Sequence, residues 1–361
     1  MLVRFLVATA GLLVLAGSAV AGRPTAHTLR KSPGGPIAAI AENNGVAAWF
    51  TAGTKGCNLV HILSPGKPDR SLPAQPLSGG PTCHWSLKDT QPQLAVAARM
   101  STALWTLHQS APSPIDWVMA ASIGKPERQL ARLAHASDGT GQWLESLAGA
   151  GRTLAYSWDD VEYVDPDACL SHGMCKQKIA DGGIRLVTRT DVNTLPGAGP
   201  ALQLAAAAGR IAYVPATVVK SGRPTVSLNN TLRIVAAVTG DQVGQAFVRG
   251  IPIAIALSSE VLAVLTASGP HDRISWFSAT DGTKLGDAVV SANAAPQLAA
   301  SDRLIVYRVG RLLRGISTPA GHDGKLVKTG LNSVGLSLAR GRLIWAQNHG
   351  TTGRLRALAV G

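Results

Sequence analysis

Val46-Ala47-Ala48-Trp49 and Arg342-Leu343-Ile344-Trp345 are two copies of one phrase, an apolar run that ends on a bulky residue. Its relatives end at Trp105, Tyr156, Tyr213, Val264 and Tyr307, each preceded by Ala, Leu or Val. Successive copies lie 38 to 57 residues apart. A period of roughly 40–50 residues accommodates four strands and their turns, and is too long for leucine-rich or ankyrin units. Seven copies therefore predict an all-β chain: a seven-bladed β-propeller of four-stranded antiparallel blades.

The segments around the phrase recur as well. Leu232-Arg233-Ile234-Val235 followed by Thr239-Gly240-Asp241 superposes without gaps on Ile274-Ser275-Trp276-Phe277 followed by Asp281-Gly282-Thr283. Apolar residues alternate along both, and each glycine falls where a hairpin needs a residue tolerant of positive φ. A small-residue strand precedes the phrase, opening on Pro36, Pro92, Pro252 or Pro296. Proline at a strand's first position costs no ladder hydrogen bond. The blade order is thus a, b, c, d, with the alanine-rich strand a beside the axis.

The last repeat stops after its strand c, Arg354 to Val360, while the segment from Pro24 to Lys31 has no partner of its own. An unpaired strand edge invites aggregation, and closed rings remove it. An N-terminal strand, Thr25 to Leu29, is therefore expected to complete the last blade.

Ahead of that strand, Arg4 supplies a charge, Phe5 to Leu15 is apolar, and Ala19-Val20-Ala21 offers small residues before Gly22. The apolar run falls short of the ~20 residues that span a bilayer, so residues 1–21 read as a secretory signal peptide. Residues 22–361 read as a single propeller domain. The expected compartment is extracytoplasmic, secreted or periplasmic, and the processed chain is expected not to be an integral membrane protein. In such a compartment the four cysteines pair locally, Cys57 with Cys83 and Cys169 with Cys175. A zinc site from Cys57, His61, Cys83 and His84 is disfavoured, because four residues of strand separate Cys57 from His61 by ~13 Å.

The turn phrases Ala237-Val238-Thr239-Gly240-Asp241-Gln242-Val243 and Ala279-Thr280-Asp281-Gly282-Thr283-Lys284-Leu285 resemble the repeats of quinoprotein-like bacterial propellers. The overall layout is similar to the periplasmic TolB-type propellers. The resemblance implies the fold and an extracytoplasmic setting. It assigns no site residue here, since the tryptophan that closes a quinoprotein repeat and the Ser-Pro-Asp-Gly phrase of TolB-type repeats are both missing.

Repeat length points to where a ligand would bind. The sixth repeat joins strands b and c by a short link at Gly310, whereas the third has an insertion from Ser157 to about Gly183 and the fourth one from Pro215 to Thr231. Insertions on one face of a propeller commonly build its binding surface. The third-repeat insertion carries Asp159, Asp160, Glu162, Asp165 and Asp167, oxygen ligands that calcium would take. The plainer and favoured reading of that stretch is a solvated acidic loop pinned by its disulfide. Net charge is +13, and the excess gathers after residue 200, where half of the basic residues but only a third of the acidic ones lie. Arg308, Arg311, Arg314, Arg354 and Arg356 are the candidates for contact with a polyanion, which outside the cytoplasm means a wall polymer, anionic lipid or acidic glycan rather than nucleic acid. Dispersed surface charge is the plainer reading of the same residues.

Signatures for zinc proteases, serine hydrolases, phosphate loops and thiol redox pairs are missing from the sequence. Ser64-Pro65-Gly66-Lys67 fits Ser-x-x-Lys but sits in a turn. The nine histidines are scattered, and His271, His322 and His349 read as surface turn residues. Two functions follow. The favoured one is an exported, non-catalytic, monomeric scaffold that binds a protein, glycan or envelope polymer. The other is a small-molecule enzyme of the lactonase, lyase or quinoprotein-like kind, which requires several ligand-type side chains around one axial point.

Overall fold

A computed structural model describes residues 25–32, 35–53, 57–76, 92–110, 114–167, 169, 175–220, 222–226, 229–291, 294–330 and 332–360. Their strands form seven four-stranded antiparallel sheets and one small extra hairpin. Blade 1 runs Ile37–Asn43, Val46–Thr51, Leu59–Leu63 and Arg70–Pro73 as strands a to d. In blade 2 they are Leu94–Ala97, Thr102–Gln109, Ile115–Ser122 and Arg128–Ala134. In blade 3 they are Gly141–Ala150, Thr153–Tyr163, Gln177–Val187 and Val192–Thr194. Blade 4 runs Ala201–Ala207, Arg210–Pro215, Asn229–Ala236 and Gln242–Arg249. Blades 5 and 6 repeat the plan from Ile251–Leu257 and Ala294–Ala300. Each strand a neighbours the next, and that of the last blade, Ser333–Ala339, returns to that of the first, so the ring closes.

The closing strand is the N-terminal one. His27–Ser32 pairs antiparallel with Thr352–Ala359, with His27 opposite Ala357 and Ser32 opposite Gly353. It begins two residues later than the pattern placed it. Arg356 holds it in place, donating to Thr28 Oγ1 at 2.8 Å and to the Ala26 carbonyl at 3.0 Å.

The recurring phrase is strand b in every blade, and its bulky residue is buried each time, from 0% exposed at Trp105 and Val264 to 5% at Tyr156. The hydrophobic core is divided into seven clusters, each spanning two consecutive blades. Trp105 of blade 2 packs with Phe50 and Ile62 of blade 1. Tyr156 packs with Leu104, Tyr213 with Ile184, Val264 with Ile234, Tyr307 with Trp276, and Trp345 with Leu313. Trp49 of blade 1 meets Leu355 and Ala346 of blade 7. The bulky residue thus always faces the preceding blade, so each sheet is held by its neighbours rather than by a core of its own. Burying one such aromatic contributes ~1.5–3 kcal/mol by area transfer.

Turn chemistry follows the same repetition. Gly282, between strands c and d of blade 5, has φ +81°, and its amide donates to the Ser278 carbonyl at 2.9 Å. A β-carbon there would also lie 2.0 Å from the backbone oxygen of Gln245 in blade 4. Only glycine both makes this turn and lets the blades nest.

Among the described residues no helix is long and apolar enough to cross a membrane.

Candidate functional site

The two insertions differ from simple loops. In blade 3, strands b and c continue as a ladder out to Tyr163 opposite Gln177, which shortens the open link to 164–176, and Cys169 and Cys175 are joined in a disulfide inside it. In blade 4 the insertion folds into its own hairpin, Val218–Lys220 with Arg223–Thr225, which packs on strands b and c of blade 3. Both reach the turn that leads from blade 2 into blade 3. There Tyr163 Oη donates to Asp138 Oδ2 at 2.8 Å, and Gln177 Nε2 donates to the Asp138 carbonyl at 2.9 Å. The Thr140 amide and hydroxyl also donate to Asp138, at 2.9 and 2.8 Å, and these hydrogen bonds, the amide's first, hold its carboxyl below the usual range. Gly139 and Gly222 touch backbone to backbone, with room for a β-carbon at neither. Blades 2, 3 and 4 therefore contribute to one recess on a single face of the ring.

Three ligand-type side chains meet at its floor. His108 is the penultimate residue of strand b of blade 2 and Asp116 the second of strand c, and the two are cross-strand partners. His108 Nδ1 and Asp116 Oδ1 are 2.7 Å apart. His135, just past strand d, brings Nε2 to 3.9 Å from Asp116 Oδ2. Its imidazole stacks on Trp143 of blade 3, with ring centroids 3.6 Å apart and planes at 18°. Trp143 is fixed in turn by its Nε1–H bond to the Gly139 carbonyl at 2.9 Å, and the Arg223 guanidinium lies 5.1 Å over its ring. Burial lowers the His135 pKa; Asp116 opposes that shift, while His108 and Arg223 reinforce it. The imidazole is thereby favoured in its neutral form.

Two further carboxyls of blade 3 act electrostatically on the recess. Glu145 occupies the bulge of strand a between Leu144 and Ser146, and bulges re-aim side chains. Burial raises it to about 8, aided by the charges of Asp159 and Asp116 and opposed by Arg223. Asp159 is fully buried, which raises it to about 7, partly offset by the Ala201 amide. The recess itself is a cavity of about 260 Å³, lined by His108, Ser110, His135, Ser137, Trp143 and Arg223 among others.

The residues singled out from sequence are distributed differently. Asp159 and Asp160 are consecutive on a strand and so project to opposite faces: Asp159 is buried, Asp160 half-buried and Glu162 exposed. Asp165 and Asp167 lie beyond the strand's end and are exposed. The described residues contain one grouping of three metal-type ligands, His108, Asp116 and His135, and none of the five acidic residues is in it. Strand alternation, which a loop reading of 157–183 ignored, divides that acidic run. Cys57 is disulfide-bonded, and Cys83, its partner by sequence, lies outside the described residues.

Three of the five arginines serve the fold. Arg314 pairs with Asp323 at 2.9 Å and donates to Tyr307 Oη at 3.1 Å. Arg308 donates to the carbonyls of Gly310 and Ser333, and Arg356 clasps the closing strand. Arg311 and Arg354 are exposed. The histidines also depart from a uniform surface reading: His61 lies in strand c of blade 1, stacked on Trp49 with centroids 4.9 Å apart, and His135 is only 8% exposed. Sequence reasoning missed the grouping at blade 2. The signal was present, because the ends of strands b and d and the start of strand c share one face of any blade. Placing blade 2 on the repeat frame sets His108, Asp116 and His135 on that face.

The axial channel has another character. Its middle is lined by strands a, with Ile40, Leu94, Val96, Leu147 and Leu204 beside Glu42 and Ser337. Glu42 accepts from the Gly45 amide at 2.7 Å, and burial raises its pKa against the pull of that bond and of Arg342. The mouth at the a–b turns, about 580 Å³, carries Arg99, Arg152 and Arg340 with Asp302.

No protein-family model matches the sequence, and no curated protein matches it. Solved structures do resemble the fold. An acylaminoacyl peptidase of Pyrococcus horikoshii is similar at 9% identity and a TM-score of 0.51, over 88% of this chain and 50% of that one. The Pan2 WD40 domain of Neurospora crassa is similar at 11% identity and a TM-score of 0.49, over 94% and 98%. Apo AztD from Citrobacter koseri is similar at 12% identity and a TM-score of 0.45, over 82% and 73%. At these identities the likeness is one of fold alone.

Proposed function

We propose that this propeller is exported, loses its first 21 residues, and works outside the cytoplasm as a non-catalytic binding module for a protein, glycan or envelope polymer. The observation that carries the reading is the convergence of the blade 3 and blade 4 insertions on the Ala136–Thr140 turn, which builds a recess from three blades on one face. Connections lengthened on the same face and fastened to one another serve no need of the blades, which are already four-stranded without them. Among the described residues the middle of the axial channel carries one carboxyl, Glu42, beside Ser337. This favours a binding module over an enzyme with its centre on the axis, since such a centre needs several ligand-type side chains at one point.

The test is to replace residues 217–225, which spares Val226 of the core shared by blades 4 and 5, with a short glycine turn and measure retention by isolated envelope fractions. The inserted hairpin shares no ladder with blade 4, so the far-ultraviolet spectrum and melting temperature should stay near those of the parent. Retention should fall by the ~2 kcal/mol of a binding hot spot, roughly thirtyfold. Unchanged retention in a folded variant contradicts the reading.

A further inference from the structure

We propose that His108, Asp116 and His135 form a binding site for a divalent first-row transition-metal ion, with zinc the best-fitting occupant. Their ligand atoms all lie within 4.8 Å of one another. Bonds of ~2.0–2.2 Å to nitrogen and carboxylate oxygen bring such atoms to roughly 3.3–3.6 Å apart in a tetrahedron. The site therefore needs an adjustment of at most about 1.5 Å.

The unfilled valences point to a ligand. The His135 side chain is 6% exposed, and neither ring nitrogen makes a hydrogen bond of ordinary geometry, the nearest groups being the Ala136 backbone and the Asp116 carboxylate at 3.9 Å. A buried imidazole so poorly satisfied is costly, and each such group calls for an explanation. His108 and Asp116, by contrast, share a hydrogen bond at 2.7 Å. A metal ion held by both groups takes the place of the hydrogen bond between them, with the imidazole proton moved to Nε2.

The site is also built. His108 and Asp116 are opposed on one ladder, and Trp143 fixes the plane of the His135 ring from the next blade. Ligands carried on paired strands lose little freedom on binding. Two imidazoles with one carboxylate suit zinc and its neighbours in the first row, whereas calcium and magnesium take oxygen ligands. Three protein ligands leave a fourth position open to the cavity, where Arg223 is a rim cation. That arrangement admits water or an anionic group of a ligand on the ion. Arg223 opposes the ion, and the Asp116 carboxylate, which also acts on His135, offsets it.

The site lies in the same recess as the proposed binding surface but does not depend on a macromolecular partner. The test uses the full mature chain without a histidine tag, stripped with chelator and titrated with Zn²⁺ by calorimetry. Co²⁺ serves as a spectroscopic probe of the unsubstituted protein. One ion per chain is expected, with a visible Co²⁺ spectrum of low coordination number. His135→Gln, His108→Gln and Asp116→Asn should each weaken binding by more than the ~10–100-fold typical of outer-shell changes. His349→Gln, at the exposed end of strand b of blade 7, and the pair Asp165→Asn with Asp167→Asn should leave it unchanged. Circular dichroism of the metal-free variants confirms that they fold, and the Co²⁺ spectrum of the unsubstituted chain stands without them. Absence of a stoichiometric ion, or an ion retained by all three ligand variants, overturns the proposal. A Zn²⁺ site with unchanged envelope retention in the hairpin variant leaves this inference intact and removes the partner reading.

Discussion

Replacing Gly282 by alanine separates two demands made on the turns of this ring. At φ +81° an alanine pays the left-handed backbone cost of ~1–2 kcal/mol. Its β-carbon would also sit 2.0 Å from the Gln245 oxygen of the preceding blade, where ordinary contact begins at 3.4 Å. Both atoms in that clash belong to backbone, so one blade has to move against the other, and overpacking of this kind costs a further ~1–3 kcal/mol. Gly269, in the b–c turn of the same blade, is the control: its φ is +69°, but nothing lies within 4 Å of a β-carbon there. Gly282→Ala is therefore expected to destabilise by about 2 kcal/mol more than Gly269→Ala. With ~2.1 cal/mol/K of unfolding entropy per residue, a chain of this length melts about 3 °C lower for that difference. Thermal scans of the two variants beside the parent decide it. Equal melting temperatures would mean that the blades do not nest through this turn.

Three other outcomes follow from the same structure. Burial lowers His61 to about 4 from its ordinary 6.5, so the native state favours the neutral ring. Its contribution is present above pH 6.5 and is lost as pH falls towards 4, with a ceiling near 3 kcal/mol that partial exposure reduces to ~1–2. Urea unfolding across that window should show a flatter pH slope in His61→Gln than in the parent, and parallel slopes refute the assignment. Deleting residues 25–32 removes the partner of Thr352–Ala359 and exposes a strand edge. A loss of ~3–5 kcal/mol and self-association are expected, both reversed by a peptide of that sequence supplied in trans; a stable monomer would contradict the closure. Intact mass of the exported chain should correspond to a first residue of Gly22, and a retained leader contradicts the export reading.

The architecture was legible because it repeats. Trp49, Trp105, Tyr156, Tyr213, Val264, Tyr307 and Trp345 marked the strand that every blade must bury, and a missing last strand at one end with a spare one at the other implied the closure. The spare strand begins two residues and ends three residues later than expected, and its pairing includes a bulge at Leu29, between Thr28 and Arg30, that no local pattern marks. The site was less legible for a physical reason. His108, Asp116 and His135 carry no spacing motif, since their meeting depends on ladder register across three strands and on a tryptophan from the next blade. The acidic stretch from Asp159 looked like a ligand loop because its composition is visible, while the pairing that splits it between two faces of a sheet is not.

The central claim is that the face bearing the joined insertions is the one that meets a partner. Photo-crosslinking residues placed singly at Ser137 and Lys220 on that face, and at Arg152 and Asp302 around the opposite mouth, test it in cells that make the protein. All four positions are exposed. Covalent adducts from Ser137 and Lys220 alone are the predicted result. Adducts from Arg152 or Asp302, with none from the insertion face, would contradict it.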